Sequence, residues 1–156
     1  MVRFTELDPA AYNGAIVIVD IDGTVTNDRN PEVDAAAKSM LKALAREASV
    51  YLCSNSTSIA RFWQLARETS TVYLGTTLRK PDPRILKLIP DATGKRIVVI
   101  GDKQLTDGRF AKKIGAEFVQ IRRIAEATLS AFQLSNVVWT NLLTLAANRF
   151  IRDGLL

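Results

Sequence analysis

Apolar positions along this 156-residue chain follow two rhythms. Short unbroken runs rich in β-branched residues, Ala15 to Val19, Val50 to Cys53, Val72 to Leu74, Ile97 to Ile100 and Phe118 to Ile121, read as strands buried on both faces. Between them the apolar residues recur at helical spacing. Val33, Ala37, Met40, Leu41 and Leu44 predict a helix from Pro31 to Ala48, and Ile59, Phe62, Trp63 and Ala66 predict another from Thr57 to Glu68. Asp82 before Pro83 predicts a short capped helix running through Ile85, Leu86 and Ile89; Thr106 to Ile114 predicts a last one, closed by Gly115. Such alternation predicts an α/β fold: a five-stranded parallel sheet with helices on both faces and strand ends converging on one rim. No internal repeat, low-complexity tract or linker interrupts it, so one domain is expected over residues 1 to 156.

The polar residues that follow these strands carry the candidate chemistry. Asp20 and Asp22 come directly after the first strand, Ser54 after the second, and Asp102 after Gly101 at the end of the fourth. Lys80 precedes the Pro81-Asp82-Pro83 helix start. Open α/β sheets keep ligands at the carboxyl ends of their strands, so three carboxylates, a hydroxyl and an ammonium are expected to share one pocket. Carboxylates gathered this way need positive charge, and a hard divalent cation with oxygen ligands would supply it. The set suits phosphoryl transfer, with a metal and a lysine to neutralise phosphate oxygens, a nucleophile, and an acid for the departing oxygen.

Composition narrows the field. The chain has no histidine, which removes serine-histidine and cysteine-histidine catalysis and most zinc sites. A lone cysteine, Cys53, allows no intrachain disulfide and suits a reducing cytosol. Met1 to Asn13 lacks a signal-peptide pattern and no apolar run reaches a membrane span, so a soluble, unprocessed, cytoplasmic protein is expected. The net charge of +5 is uneven: residues 1 to 50 carry 5 basic and 8 acidic groups, the remainder 16 basic and 8 acidic. That basic remainder would attract a phosphorylated substrate or an anionic surface. Without an aromatic and basic stripe, no nucleic-acid partner is expected.

Other motifs fail on spacing. A calcium-binding EF-hand starting at Asp20 would need glycine and glutamate where the chain has Val25 and Pro31. A cysteine phosphatase needs arginine near Ile59, and Arg61 comes too late. No glycine-rich nucleotide-binding loop occurs, and the residues after the third strand, Gly75-Thr76-Thr77, offer no phospho-receiver carboxylate.

Taken in order, Asp20-Ile21-Asp22-Gly23-Thr24-Val25-Thr26, then Ser54, then Lys80, then Gly101-Asp102 through Thr106-Asp107, the chain resembles the haloacid dehalogenase (HAD) superfamily over residues 14 to 122. The resemblance implies a Rossmann-like HAD fold and a Mg²⁺-dependent phosphatase. It implies that Asp20 attacks phosphorus to form an aspartyl-phosphate, and that Asp22 protonates the leaving group and then activates water. It also implies that the Asp20 and Asp102 carboxylates and the Asp22 backbone carbonyl hold the metal. By the same resemblance Ser54, Asn55 and Lys80 bind the phosphoryl group, while Thr24 and Asp107 support the site. Ser54-Asn55, Lys80-Pro81 and the Asp102 to Asp107 spacing further resemble a small capless subgroup that includes phosphatidylglycerophosphate phosphatases.

Spacing limits the substrate as well. The 33 residues between Asp20 and Ser54 and the 25 between Ser54 and Lys80 leave no room for a cap domain. An open pocket suits a large or lipid-like phosphoester, or a site completed by a neighbouring subunit in a homo-oligomer. In the tail, residues 127 to 153, apolar residues recur at helical spacing with Trp139, Arg149 and Arg152 nearby, as expected for a helix packed on the sheet or lying on anionic lipid. The alternatives are a phosphatase for small sugar or nucleotide phosphates and a non-catalytic binding or regulatory module that keeps the fold.

Overall fold

The structure is a computed structural model, and it describes residues 1–27, 32–56 and 59–124. Its strands are β1 (Ile16–Val19), β2 (Ser49–Leu52), β3 (Val72–Tyr73), β4 (Ile97–Gly101) and β5 (Glu117–Gln120). Its α-helices are α1 (Ala35–Glu47), α2 (Ile59–Thr69) and α3 (Arg109–Ile114). All pair in parallel in the order β3-β2-β1-β4-β5. The chain thus winds outward from β1 in one direction, then returns to β1's other side, leaving a topological switch point between β1 and β4.

Period-two side-chain alternation makes two cores from one sheet. Val17 and Val19, Val50 and Leu52, and Val98 and Ile100 meet Leu41 and Leu44 of α1 and Phe62 and Leu65 of α2. The opposite face presents Ile16, Ile18 and Val99 to Phe110 of α3 and to Ile85 of a 3-10 helix, Pro83–Leu88. Burial on both sides explains why the central strands are unbroken apolar runs.

Local starts and stops follow side-chain chemistry. Asp34 caps α1 by accepting a hydrogen bond from the Ala36 amide at 2.9 Å, so the helix begins later than the apolar spacing predicts. Pro31 and Thr57, the expected helix starts, lie outside the described residues, as does the whole segment 127 to 153. Asp82 caps the turn that follows it as expected, but that turn is 3-10 rather than α. Two 3-10 turns near the N-terminus, Phe4–Glu6 and Pro9–Tyr12, bury Phe4, Leu7 and Tyr12 beneath α1 and had no periodic signal. Within α2 only one face is buried: Phe62, Leu65, Ala66 and Thr69 point inward, whereas Ile59 and Trp63 are exposed. Adjacent residues lie about 100° apart on a helix, so Phe62 and Trp63 cannot share one narrow core-facing stripe.

Phe110 is fully buried under the sheet beside Ile18 and Val99. Phe110→Ala is expected to cost about 3–5 kcal/mol, the usual range for emptying an aromatic core site, measured by urea unfolding.

Candidate active site

Parallel register brings the chemistry to one rim. Val19 pairs with Leu52 on one side and Ile100 on the other, so Asp20, Ser54 and Asp102 all emerge at the same end of the sheet. The loop after β1 folds around a single carbonyl. Ile21 O accepts hydrogen bonds from the amides of Thr24, Val25 and Thr26, and the buried Ile21 and Val25 side chains anchor the turn in the core. Gly23 sits at φ +90°, and a Cβ there would lie 2.6 Å from Asp102 Oδ2. Glycine is therefore required both for the backbone conformation and for the approach of the two acidic loops.

Beyond β4 the chain makes one π-helical turn, Gln104–Gly108, before α3. Lys103 O accepts from the amides of Thr106, Asp107 and Gly108, and Asp107 Oδ2 accepts from the Lys103 amide at 3.2 Å. This widened turn folds Asp107 back under the strand end, fully buried. A Cβ at position 101 would come within 2.5 Å of the Asp107 carboxyl, so Gly101 makes that return possible.

Lys80 ties the carboxylates together. Its ammonium, with the residue only 4% exposed, lies 2.6 Å from Asp20 Oδ1 and 2.7 Å from Asp107 Oδ1. Thr24 Oγ1 donates to the other Asp20 oxygen at 3.1 Å. Burial opposes the charged form of Lys80, but Asp20 and Asp107 outweigh it and hold the ammonium well above its ordinary pKa. Asn55 braces the lysine from behind: its amide donates to Lys80 O at 3.0 Å, and its carbonyl oxygen accepts from the Lys80 amide at 2.8 Å.

Oxygens of Asp20, Asp102 and Asp107 lie within 4.8 Å of one another. Asp102 Oδ2 accepts from Arg123 at 2.7 Å, whereas its buried Oδ1 has no hydrogen-bond partner among the described residues. Burial and then the neighbouring Asp20 charge push the Asp102 carboxyl up to about 7, against the pull of Lys103 and Arg123; burial likewise raises Asp107, with Lys80 opposing. An orphaned carboxylate oxygen in an all-oxygen donor set with excess negative charge fits a hard divalent cation such as Mg²⁺.

Asp22 faces the opposite wall. Ser54 Oγ donates to it at 2.7 Å and Arg61 Nη2 at 2.5 Å, and Ser54 Oγ also accepts from the Ser56 amide. A cavity of about 300 Å³ opens between these groups, lined by Asp20, Asp22, Ser54, Asn55, Lys80 and Lys103, with Ser56 and Thr106 at its edge. The residues named from the sequence therefore converge: Asp20, Asp22, Ser54, Asn55 and Lys80 line the cavity, while Thr24, Asp102 and Asp107 contact or adjoin the lining carboxylates. Arg61 and Arg123 were missed. Arg61 reads as one more polar residue of an amphipathic helix, and Arg123 as a charge after the last strand; only the folded chain brings them to Asp22 and Asp102.

No protein-family model and no curated protein matches the chain. Among solved structures it is similar to YfnB from Bacillus subtilis, assigned as a HAD-hydrolase and bound to magnesium, with 14% sequence identity and a TM-score of 0.49. The likeness covers 71% of this chain and 57% of that one, so this chain matches somewhat over half of that protein's length. Among the described residues no helix is long and apolar enough to cross a membrane.

The raised Asp102 carboxyl sets the sign of a pH effect. Its folded-state pKa lies above the ordinary carboxylate value, so without a cation this group favours the folded form increasingly as pH falls from 7 toward 4. A metal needs the ionised carboxylate, so the two demands oppose each other. Titration calorimetry is expected to show Mg²⁺ affinity falling as pH drops below 7, by about tenfold per unit for one competing proton, with a heat that depends on the buffer's ionisation enthalpy.

Proposed function

We propose that this protein is a HAD-type, Mg²⁺-dependent phosphomonoesterase that works through an aspartyl-phosphate on Asp20. The observation that carries this reading is the meeting of Asp20, Asp102 and Asp107 at the β1/β4 switch point, around one unpartnered Asp102 oxygen and beside Lys80. Four short motifs, spread from residue 20 to residue 107, supply the groups around a cavity large enough for a phosphoryl group.

The residues divide the work. Lys80 and Thr24 fix the Asp20 carboxylate, so one of its oxygens is held ready for attack on phosphorus. As the new oxygen–phosphorus bond forms, the ester bond breaks and the departing oxygen takes a proton from Asp22. In the second half, Asp22 removes a proton from water, which attacks the aspartyl-phosphate and returns Asp20 as a carboxylate with inorganic phosphate released. Arg61 sets the direction of the Asp22 carboxylate for both transfers, and in the substrate-free site the Ser54 hydroxyl holds it as well. When a phosphoryl group enters, the single Ser54 hydroxyl hydrogen turns to one of its oxygens and Lys80 supplies its third hydrogen to another, while Asn55 keeps Lys80 in place. Mg²⁺, held by Asp20 and Asp102 with Asp107 in support, would neutralise charge on the phosphoryl group.

The substrate in this reading is a large or lipid-like phosphoester in a cytoplasmic setting, consistent with the cavity's open mouth and with the capless subgroup that the motifs resemble. Purified protein is expected to hydrolyse p-nitrophenyl phosphate and to lose activity with EDTA. Asp20→Asn should lower kcat at least about 10³-fold, as expected for loss of the nucleophile. Asp22→Asn should retain a burst of aryl alcohol release but turn over slowly, because a good leaving group needs little protonation whereas water needs a base. Undiminished turnover in both variants would refute the mechanism.

A further inference from the structure

A second depression adjoins the phosphoryl cavity, with a volume of about 360 Å³. The two share Ser54, Asn55 and Ser56, so they lie side by side. Their chemistry differs. Ile59, Trp63, Tyr73 and Leu78 line the second depression together with Gly75, two threonines and Arg79, and among the described residues no carboxylate lines it. Ile59 is 54% exposed and Trp63 49%, and one helical turn apart they form a small contiguous apolar patch beside the cavity.

The indole is nevertheless held in one orientation. Its ring meets Tyr73 edge-on, with centroids 5.5 Å apart and planes at 83°. Beneath it, Gly75 leaves the space in which a Cβ would touch the ring at 3.4 Å. A fixed aromatic face beside the cavity is a preorganised platform, able to bind a flat apolar group with little entropy loss.

Building on the phosphatase reading above, we propose that the substrate is a phosphomonoester whose leaving group is an apolar ring system, seated on Trp63 and Ile59 while its phosphate enters the cavity beyond Ser54. The shared wall argues for this occupant over any that approaches from elsewhere, because it sets the groove directly beside the phosphoryl cavity. The lack of a lining carboxylate argues against a cationic ligand.

The test compares 2-naphthyl phosphate with phenyl phosphate, whose leaving groups differ mainly in apolar area. Wild-type kcat/KM should favour the naphthyl ester by roughly tenfold, and Trp63→Ala should bring that ratio close to one while Trp63→Phe keeps most of it. Calorimetry with the non-hydrolysable 2-naphthyl- and phenylphosphonates should show the same preference and the same loss. Equal handling of the two ring sizes, or a preference untouched by Trp63→Ala, would overturn the proposal. So would octyl phosphate outranking the naphthyl ester, which would mark a chain-binding groove, or a dimer in sedimentation velocity that Trp63→Ala dissociates, which would mark a second copy as the occupant. If neither ester is hydrolysed the phosphatase reading fails by itself, and the phosphonate titrations still decide the groove.

Discussion

Negative charge placed out of water at the sheet's rim is the constraint around which this molecule is arranged. An unpaired buried carboxylate costs several kcal/mol, and here Asp20, Asp102 and Asp107 lie within a few ångströms of each other. Lys80 compensates part of that charge by bridging Asp20 and Asp107. Arg123 engages one oxygen of Asp102 and leaves the other open. The raised Asp102 and Asp107 carboxyls express what remains uncompensated. A divalent cation answers the same need, so the interaction that strains the metal-free fold is also the one that would recruit the metal.

That arrangement depends on backbone features with little side-chain volume. The β1 and β4 ends are neighbours because the sheet reverses its winding between them; the β1 loop closes on Asp102 because Gly23 carries no Cβ, and Asp107 folds back beside the end of β4 because Gly101 carries none. The π-helical turn after β4 contributes the remaining displacement, placing Asp107 under the strand instead of outside it. Lys80 arrives on the segment between β3 and the Pro83–Leu88 turn, and its approach is fixed through its backbone by Asn55. The apolar cores on both faces hold the strands whose ends carry these groups, so packing sets the geometry and electrostatics sets the chemistry.

Much of this was legible in the sequence because its signals are local. Strand runs buried on both faces are continuous blocks of Val and Ile, and the residue after each block is necessarily at a rim, so Asp20, Ser54 and Asp102 could be placed together. Asp82 with Pro83 announced a helical start by itself, although its 3-10 geometry was not readable. Arg61 and Arg123 stayed hidden because a helical or loop arginine has no periodic mark that distinguishes solvation from pairing. Asn55, read as a phosphate ligand, shows another role in its hydrogen bonds: it bonds to the backbone of a residue 25 positions away, a contact no spacing rule contains. The start of α1 shifted because the Asp34 side chain satisfies the Ala36 amide, and capping chemistry overrides apolar spacing at helix ends.

The second helix shows how one element can serve both core and ligand. Ile59, Phe62, Trp63 and Ala66 together look like a single apolar stripe, yet Phe62 and Ala66 enter the core while Ile59 and Trp63, one turn apart, form a second stripe facing outward. A solvated face would ordinarily carry charge there, and the same helix does so at Arg67, one turn beyond Trp63, and at Glu68 farther around. The outward apolar pair lines the depression beside that cavity, and its larger member meets Tyr73 edge-on above the space that Gly75 leaves. In the proposed reading the rim then has a charged half for phosphate and, next to it, an apolar half for the group that phosphate leaves behind.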